Sequence, residues 1–297
     1  MYRYKTGVVD KIFMCFVLVL ITTFAFICLY PFYYIFIGSI SSPRAITQGV
    51  FLWPVDVSFN NYITIFQTPG MLRSFYISLA RTVIGTALTV SLSTFVAYIF
   101  TYKEVPIRSF LYRFFIITMY INAGFVPFFM LVHNLGLMNT FWVYVIPGAL
   151  SPFFIIITKA YLDSLPPSLR EAAEIDGAGI VRIFFSVIAP LCKPIIACLI
   201  VFAAVAQWNA WADTLYFVRD PDLFPLQFRL YRMLQNNMAE AMRTARTASA
   251  GMAVQQRMTP AALRLTMTFI TTMPILLVYP FMQRYFVKGL MLGAIKG

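Results

Sequence analysis

Charge is what this sequence lacks. Only 11% of its 297 residues are Asp, Glu, Lys or Arg, and just 11 are acidic, where a soluble domain carries about 25% charged residues. A chain that is 60% hydrophobic has too little polar surface to set against water. That excludes an ordinary soluble fold and makes lipid the natural solvent. Histidine is limited to His133, a poor basis for a metal site or a catalytic triad. The cysteines Cys15, Cys28, Cys192 and Cys198 have no CxxC spacing. Neither a disulfide framework nor a zinc site is indicated, and apolar packing is their ordinary role. There is no GxxxxGK[ST] phosphate loop, no HExxH, no GxSxG and no paired-carboxylate constellation, so the chain carries no ATPase or hydrolase machinery of its own and is not expected to be an enzyme. No charged residue falls at the middle of an apolar run. Arg81, Lys159 and Arg264 lie near run ends, where long side chains snorkel to the interface. Proton relays and ion-coupled carriers place ionisable groups deep in the bilayer. Their absence argues against a carrier acting alone, although carbonyls can also coordinate sodium.

What is present is apolar sequence in span-sized pieces. A membrane crossing needs about 20 mainly apolar residues, and six runs qualify: one within Ile12–Ile40, then about Ser74–Thr101, Phe110–Val132, Phe141–Leu162, Ile195–Phe217 and Leu263–Phe286. The expected fold is an all-α membrane protein of six transmembrane helices, residues 1–297 forming a single transmembrane domain. Arg3, Lys5 and Lys11 precede the first run, which ends in Tyr30-Pro31-Phe32-Tyr33-Tyr34 rather than in small residues. It therefore reads as a retained first span, not a cleaved leader. The second run is rich in Ser, Thr, Ala and Gly, which lets helices approach closely in lipid. The net charge of +12 is scattered between the runs, with no basic helix interleaved with aromatics. This excludes nucleic acid as a partner and fits basic residues flanking membrane spans. With the N-terminus placed in the cytoplasm, all seven lysines fall on the inner side, whereas the outer side carries only arginines. Both termini and the loop Asp163–Pro194 are then cytoplasmic, and a long section, about 218–260, is extracytoplasmic.

The loop Asp163–Pro194 is a polar-punctuated stretch between the fourth and fifth spans. Ser168-Leu169-Arg170-Glu171 fits a capping box. Pro166 and Pro167 stop one helix and start the next. Asp176-Gly177 supplies a helix stop, since glycine tolerates the left-handed conformation. A second short helix is expected over about Gly179–Ser186, and Pro190 and Pro194 open the fifth span. The result is a helix-turn-helix outside the membrane. Its small alanines suit docking in a partner's groove, and a merely structured cytoplasmic turn is the alternative.

Glu171-Ala172-Ala173-x-x-Asp176-Gly177-Ala178, followed by Val187-Ile188-Ala189-Pro190, resembles the EAA loop of ABC importer permeases of the carbohydrate, maltose-permease-like branch. Asn122-Ala123-Gly124 with Pro127, Leu135-Gly136-Leu137 with Asn139-Thr140, Trp208-Asn209-x-Trp211 and Pro225-Leu226-Gln227 are similar to the sub-branch that imports oligosaccharides from complex polysaccharides. So are Pro274–Pro280 and the ending Gln283–Gly297. The resemblance implies a second homologous permease as partner, two ATP-binding subunits that carry ATP and Mg, and an extracytoplasmic solute-binding protein. It places the chain in the bacterial inner membrane. It assigns the ATPase contact to Glu171, the close-packed face to Ala172 and Ala173, the turn to Gly177 and support of that turn to Asp176. It also brings the tail with Lys288 and Lys296 toward the ATPase interface. No cofactor is expected on this chain.

Sugars are held by aromatic faces and by amide or carboxylate groups. Asn122, Trp208, Asn209, Trp211 and Asp213 are the candidates for a substrate path, with packing or an interfacial aromatic belt as the plainer role. The outer arginines Arg219, Arg229, Arg232, Arg243, Arg246 and Arg257 suggest an acidic saccharide of alginate or pectin type, because guanidinium forks pair bidentately with carboxylates. Salt bridges to an acidic binding protein are the competing explanation. A permease for a non-sugar solute, or a stand-alone carrier or channel, is the alternative function.

Overall fold

Helix is the only regular structure among the described residues. The structure, a computed structural model, describes residues 7–121, 123–235 and 260–294, with the backbone course alone from 281 onward. In chain order the helices are α1 (Val8–Ser39), α2 (Pro43–Gln48), α3 (Asn60–Gln67), α4 (Met71–Ile99), α5 (Arg108–Thr118), α6 (Phe125–Asn134), α7 (Pro152–Leu162), α8 (Ser168–Ile175), α9 (Ile180–Ile183), α10 (Ala189–Leu191), α11 (Lys193–Asn209), α12 (Ala212–Phe217), α13 (226–235) and α14 (Pro260–Ala294). Short 3-10 turns lie at Phe141–Tyr144 and Pro221–Leu223, and a π-helical turn at Phe184–Ile188.

Three of the six apolar runs are single helices. Among the described residues α1, α4 and the Ala261–Val278 part of α14 are long and apolar enough to cross a membrane. The other three runs are interrupted. Phe110–Val132 is divided between α5 and α6, and Gly124 between them takes φ 86°. Phe141–Leu162 is a 3-10 turn and α7, with Pro147-Gly148 between. Ile195–Phe217 stops at Ala210, whose ψ of 131° is extended, before α12 begins. A fourth interruption lies at Cys192, where Ile180–Leu191 and Lys193–Asn209 meet at 84°. The cause is local. Pro194 has no N–H to return to the Pro190 carbonyl, which opens the helix at Cys192, and Pro190 likewise loosens the turn before it, where the Ala189 N–H reaches back five residues to the Phe184 carbonyl.

The chain packs as two compact units, Met1–Thr68 with Met233–Thr272 and Pro69–Arg232 with Met273–Gly297. In the first, α1 is exposed along most of its length and buries only Ile37, Gly38 and Ser39. That end is tied by a polar knot. Asn61, fully buried, donates through Nδ2 to the carbonyls of Ser39 at 3.3 Å and Ser41 at 3.1 Å. Thr266 Oγ1 donates to the same Ser39 carbonyl, and the Tyr62 hydroxyl meets Ser39 Oγ at 2.6 Å. Gly38 allows the approach of α14, since a Cβ there would stand 2.6 Å from Leu265 Cδ1.

In the second unit α4 is the axis, packed mainly against α11 and α7. One face of it is a buried stripe of small and hydroxyl residues, including Ser74, Ser78, Gly85, Thr89, Ser93 and Ala97, as expected for close helix packing in lipid. These hydroxyls serve backbone groups left free at the Pro147-Gly148 interruption and at the start of α13. Thr89 Oγ1 donates to the Gly148 carbonyl at 2.7 Å. Ser93 Oγ accepts from the Ser151 N–H at 3.1 Å, and Ser78 Oγ from the Leu226 N–H at 2.8 Å.

Replacing Asn61 by Leu leaves the Ser41 carbonyl without its side-chain donor and the Ser39 carbonyl with Thr266 alone, at about 1–3 kcal/mol for the unsatisfied group. The expected outcome is a lower thermal unfolding midpoint in detergent, with Asn61→Ser retaining more stability than Asn61→Leu.

Candidate functional site

The hairpin at 163–194 is built by proline at its start and glycine at its turn. α8 opens one residue earlier than a Ser168 cap requires. Pro167 is the cap residue with helical angles, φ −64° and ψ −25°, and no side chain caps the end. The expected capping box of Ser168 and Glu171 is therefore absent, because proline's fixed φ already starts the helix and draws Ser168 into its first turn. The far end matches expectation. Gly177 has φ 75°, its N–H donates to the Glu174 carbonyl, and the Ala178 N–H donates to the Ala173 carbonyl, both at 3.0 Å. This is the paired-bond Schellman stop. Asp176 sits at the C-cap, its N–H bonded to Ala172 and Glu174 carbonyls.

The hairpin is clamped, and the clamp divides the alanine pair. Ala173 and Ala178 pack on the apolar core of the unit, whereas Glu171 and Ala172 are exposed and Ile175 is 86% exposed. Ala173 thus seats α8 on its own chain, and Ile175, which the sequence reading missed, takes its place on the outer face. Arg170 pairs with Glu174 at 3.2 Å and lies 4.6 Å over the Tyr102 ring. The Tyr98 hydroxyl bonds that of Tyr102 and donates to the Ile180 carbonyl at 3.3 Å. The Phe184 ring packs against Phe95 and Tyr98 at 5.1 and 5.3 Å. The Tyr161 hydroxyl donates to the Leu191 carbonyl at 3.1 Å.

The second feature is a buried ion pair at the α11–α12 break. Arg81 does not snorkel as expected. It stands ten residues into α4 with its side chain 2% exposed, and its Nη2 meets Asp213 Oδ2 at 2.5 Å. Nη1 donates to Asp213 Oδ1 at 3.3 Å and to the Ala210 carbonyl, left free by the break, at 3.2 Å. Gln207 Oε1 accepts from both Nε and Nη2. The guanidinium lies 4.4 Å from the centre of the Tyr144 ring. Gly85, one turn along α4, leaves room for Gln207, since a Cβ there would be 2.6 Å from its amide nitrogen. Beside the pair is a cavity of about 330 Å³ walled by Phe128, Tyr144, Phe217, Gln207 and the Pro147-Gly148 break. Arg81, Gln207 and Tyr144 were not foreseen as site residues; the only sequence signal was an arginine inside an apolar run.

The other candidates separate. Trp208 is buried with its ring edge-on to Phe75. Asn209 accepts from Gln227 Nε2 at 2.8 Å. Trp211 stacks on Tyr231 with ring centres 4.2 Å apart. Asp213 belongs to the ion pair, and Asn122 lies outside the described residues. Among the arginines, Arg219 and Arg232 are exposed, whereas Arg229 is a tie: its Nε bonds Ser74 Oγ and its Nη2 the Pro221 carbonyl. Burial, and then the Arg232 charge, lower the Arg229 pKa, with Asp222 opposing. Arg243, Arg246 and Arg257 lie outside the described residues, as does Lys296.

Residues 89–292 match the model of the family described as "Binding-protein-dependent transport system inner membrane component". The chain is 34% identical to Protein LplC of Bacillus subtilis over 91% of this chain and 90% of that protein. It is 32% identical to the polygalacturonan/rhamnogalacturonan transport system permease protein YtcP of the same organism, over 92% and 94%. A chain in the crystal structure of a bacterial ABC transporter involved in the import of the acidic polysaccharide alginate superposes with a TM-score of 0.84 at 30% identity, covering 96% of this chain and 100% of that one.

Two outcomes follow from the geometry. A Cβ at Gly177 meets nothing within 4 Å, so Gly177→Ala is penalised only by the left-handed backbone, about 1–2 kcal/mol; hydrogen exchange at Asp176–Ala178 is expected to quicken by about fivefold or more, and Gly177→Asn by less. Arg81→Met takes the guanidinium from a half-buried carboxylate and the donor from the Ala210 carbonyl, at about 3 kcal/mol or less, and pairing it with Asp213→Leu recovers part of that loss, as read from the thermal midpoint in detergent.

Proposed function

This chain belongs to the family of binding-protein-dependent transport system inner membrane components, and from that premise we propose that it is a pore subunit of an ATP-driven importer of oligo- or polysaccharides, uronate-bearing ones included. It is a multi-pass membrane transport component rather than an enzyme. The observation that carries the coupling part is the hairpin: a short helix fixed to its own bundle on one side, with Glu171, Ala172 and Ile175 turned outward on the other. An outward carboxylate beside small and apolar groups suits a cationic, grooved partner. On this reading two ATP-binding subunits that hold ATP and Mg grip this hairpin and its counterpart on a second, homologous permease. Glu171 makes the charged contact, Ala172 and Ile175 fill the groove, and Ala173, Asp176 and Gly177 fix the angle of the lever.

The proposed topology is six crossings: α1, α4, α5 with α6, residues 141–162 including α7, α11 with α12, and α14. Residues 1–297 then form one transmembrane permease domain in the bacterial cytoplasmic membrane, with both termini and the hairpin inside and about 218–260 outside. The confinement of lysine to the inner side supports this orientation. On the outer side a solute-binding protein delivers the cargo. The similarity to a polygalacturonan/rhamnogalacturonan permease and to a chain of an alginate importer supports an acidic saccharide, and exposed Arg219 and Arg232 suit either that cargo or an acidic face of the binding protein.

In proteoliposomes holding the complete importer, Glu171→Arg is expected to cut substrate-stimulated ATP hydrolysis and uptake together by about tenfold or more while the permease stays in the membrane. Normal coupling in that variant would sink the hairpin assignment. Uptake of uronate oligosaccharides by the unaltered importer is expected; uptake confined to neutral sugars would overturn the acidic cargo.

A further inference from the structure

We propose that the cavity beside Arg81 is a cargo subsite, that Arg81 reads the carboxylate of an acidic sugar there, and that Asp213 holds that carboxylate's place when the subsite is empty. The assignment rests on the saccharide-import reading above and narrows it to one residue.

The argument begins from cost. A guanidinium 2% exposed inside an apolar helix is expensive in a bilayer and by default marks a functional site. The break at Ala210 does not account for it. Elsewhere on α4 a single serine or threonine hydroxyl serves each freed backbone group, as Thr89 does for Gly148 and Ser93 for Ser151. Capping the Ala210 carbonyl takes one N–H, and Arg81 spends the others on Gln207 and on both Asp213 oxygens. A carboxylate in two-pronged contact with an arginine is also how a uronate would be held.

The two members of the pair are unequal. The Asp213 side chain is 23% exposed against 2% for Arg81, so the carboxylate is on the open side. Asp213 has a second donor in the Thr214 N–H, 2.8 Å from Oδ1, and is not stranded when displaced. Exchange of one carboxylate for another keeps Arg81 neutralised throughout, avoiding the penalty of an unpaired buried charge. The surroundings have the make-up of a ligand site. The cavity of about 330 Å³ has aromatic walls from Phe128, Tyr144 and Phe217, suited to the C–H face of a pyranose ring, with a few convergent polar groups. It also lies between two interrupted helical runs, at Pro147-Gly148 and at Ala210, and irregular backbone at membrane depth is tolerated where it lines a cavity.

The test is uptake by proteoliposomes containing the complete importer and its binding protein, with a uronate trisaccharide and a neutral trisaccharide measured separately. Arg81→Gln is expected to lower the ratio of uronate to neutral uptake by about tenfold or more, the scale of one lost charge-assisted contact. Arg81→Lys is expected to fall between. Asp213→Asn removes the competing charge and is expected to lower the KM for the uronate several-fold. Arg81→Met with Asp213→Leu keeps the fold testable if the single variant unfolds, and should transport with the ratio still collapsed. A ratio unchanged in Arg81→Gln, or restored by the double variant, would make the pair a purely structural tie and overturn the assignment while uronate import stands. Wild-type uptake of neutral sugars alone would overturn the acidic-cargo reading and this assignment together.

Discussion

Hydrocarbon supplies no hydrogen bonds, so each backbone group that a broken helix releases must find its partner within the protein. The second unit is arranged around that constraint. Its apolar runs are interrupted at Pro147-Gly148 and Ala210, and α4 answers groups set free there and at the start of α13. Thr89 takes the Gly148 carbonyl, Ser93 the Ser151 N–H, Ser78 the Leu226 N–H and Arg81 the Ala210 carbonyl. The low apolarity of α4 relative to α1 is therefore a requirement of its neighbours. Without its polar stripe the interruptions would be untenable, and without the interruptions there would be no cavity beside Arg81.

The same helix joins the two candidate sites. Arg81 lies toward one end of α4 and Tyr98 at the other, 17 residues or about 25 Å along the axis. Tyr98 holds the hairpin through the Ile180 carbonyl and the Phe184 ring. A displacement of the hairpin therefore has a continuous, packed route to the wall of the cavity. Gly85 and Gln207 supply a close contact between α4 and α11 along that route.

The apolar runs were legible because the signal for burial in lipid is long and additive, and the turn at Gly177 was legible because only a left-handed position calls for glycine after Asp176. The start of α8 was misjudged because two devices competed for it: a Ser168 cap and a Pro167 start both fit the sequence, and proline, already fixed in φ, took the cap position. Interruptions such as Gly124 and Pro147-Gly148 carried punctuation that was outweighed by hydrophobicity on either side. The ion pair was illegible for a different reason. Asp213 is 132 residues from Arg81, and nothing local distinguishes an arginine that snorkels from one that meets a distant carboxylate. The substrate-path candidates share a side-chain chemistry suited to sugars, whereas packing sends Trp208 inward, Trp211 to Tyr231 and Asp213 to Arg81.

That separation of 132 residues also sets an order of events during biogenesis. α4 leaves the ribosome with Arg81 unpaired, and an unpaired arginine within a span opposes insertion by up to roughly 2.5–3.5 kcal/mol, the cost at a helix centre. At about 5–20 residues per second, Asp213 follows after roughly 7–26 s. For that interval α4 must lean on lipid headgroups, on water in the insertion machinery or on helices already in place. The helix that later organises the unit is therefore its most precarious member at birth.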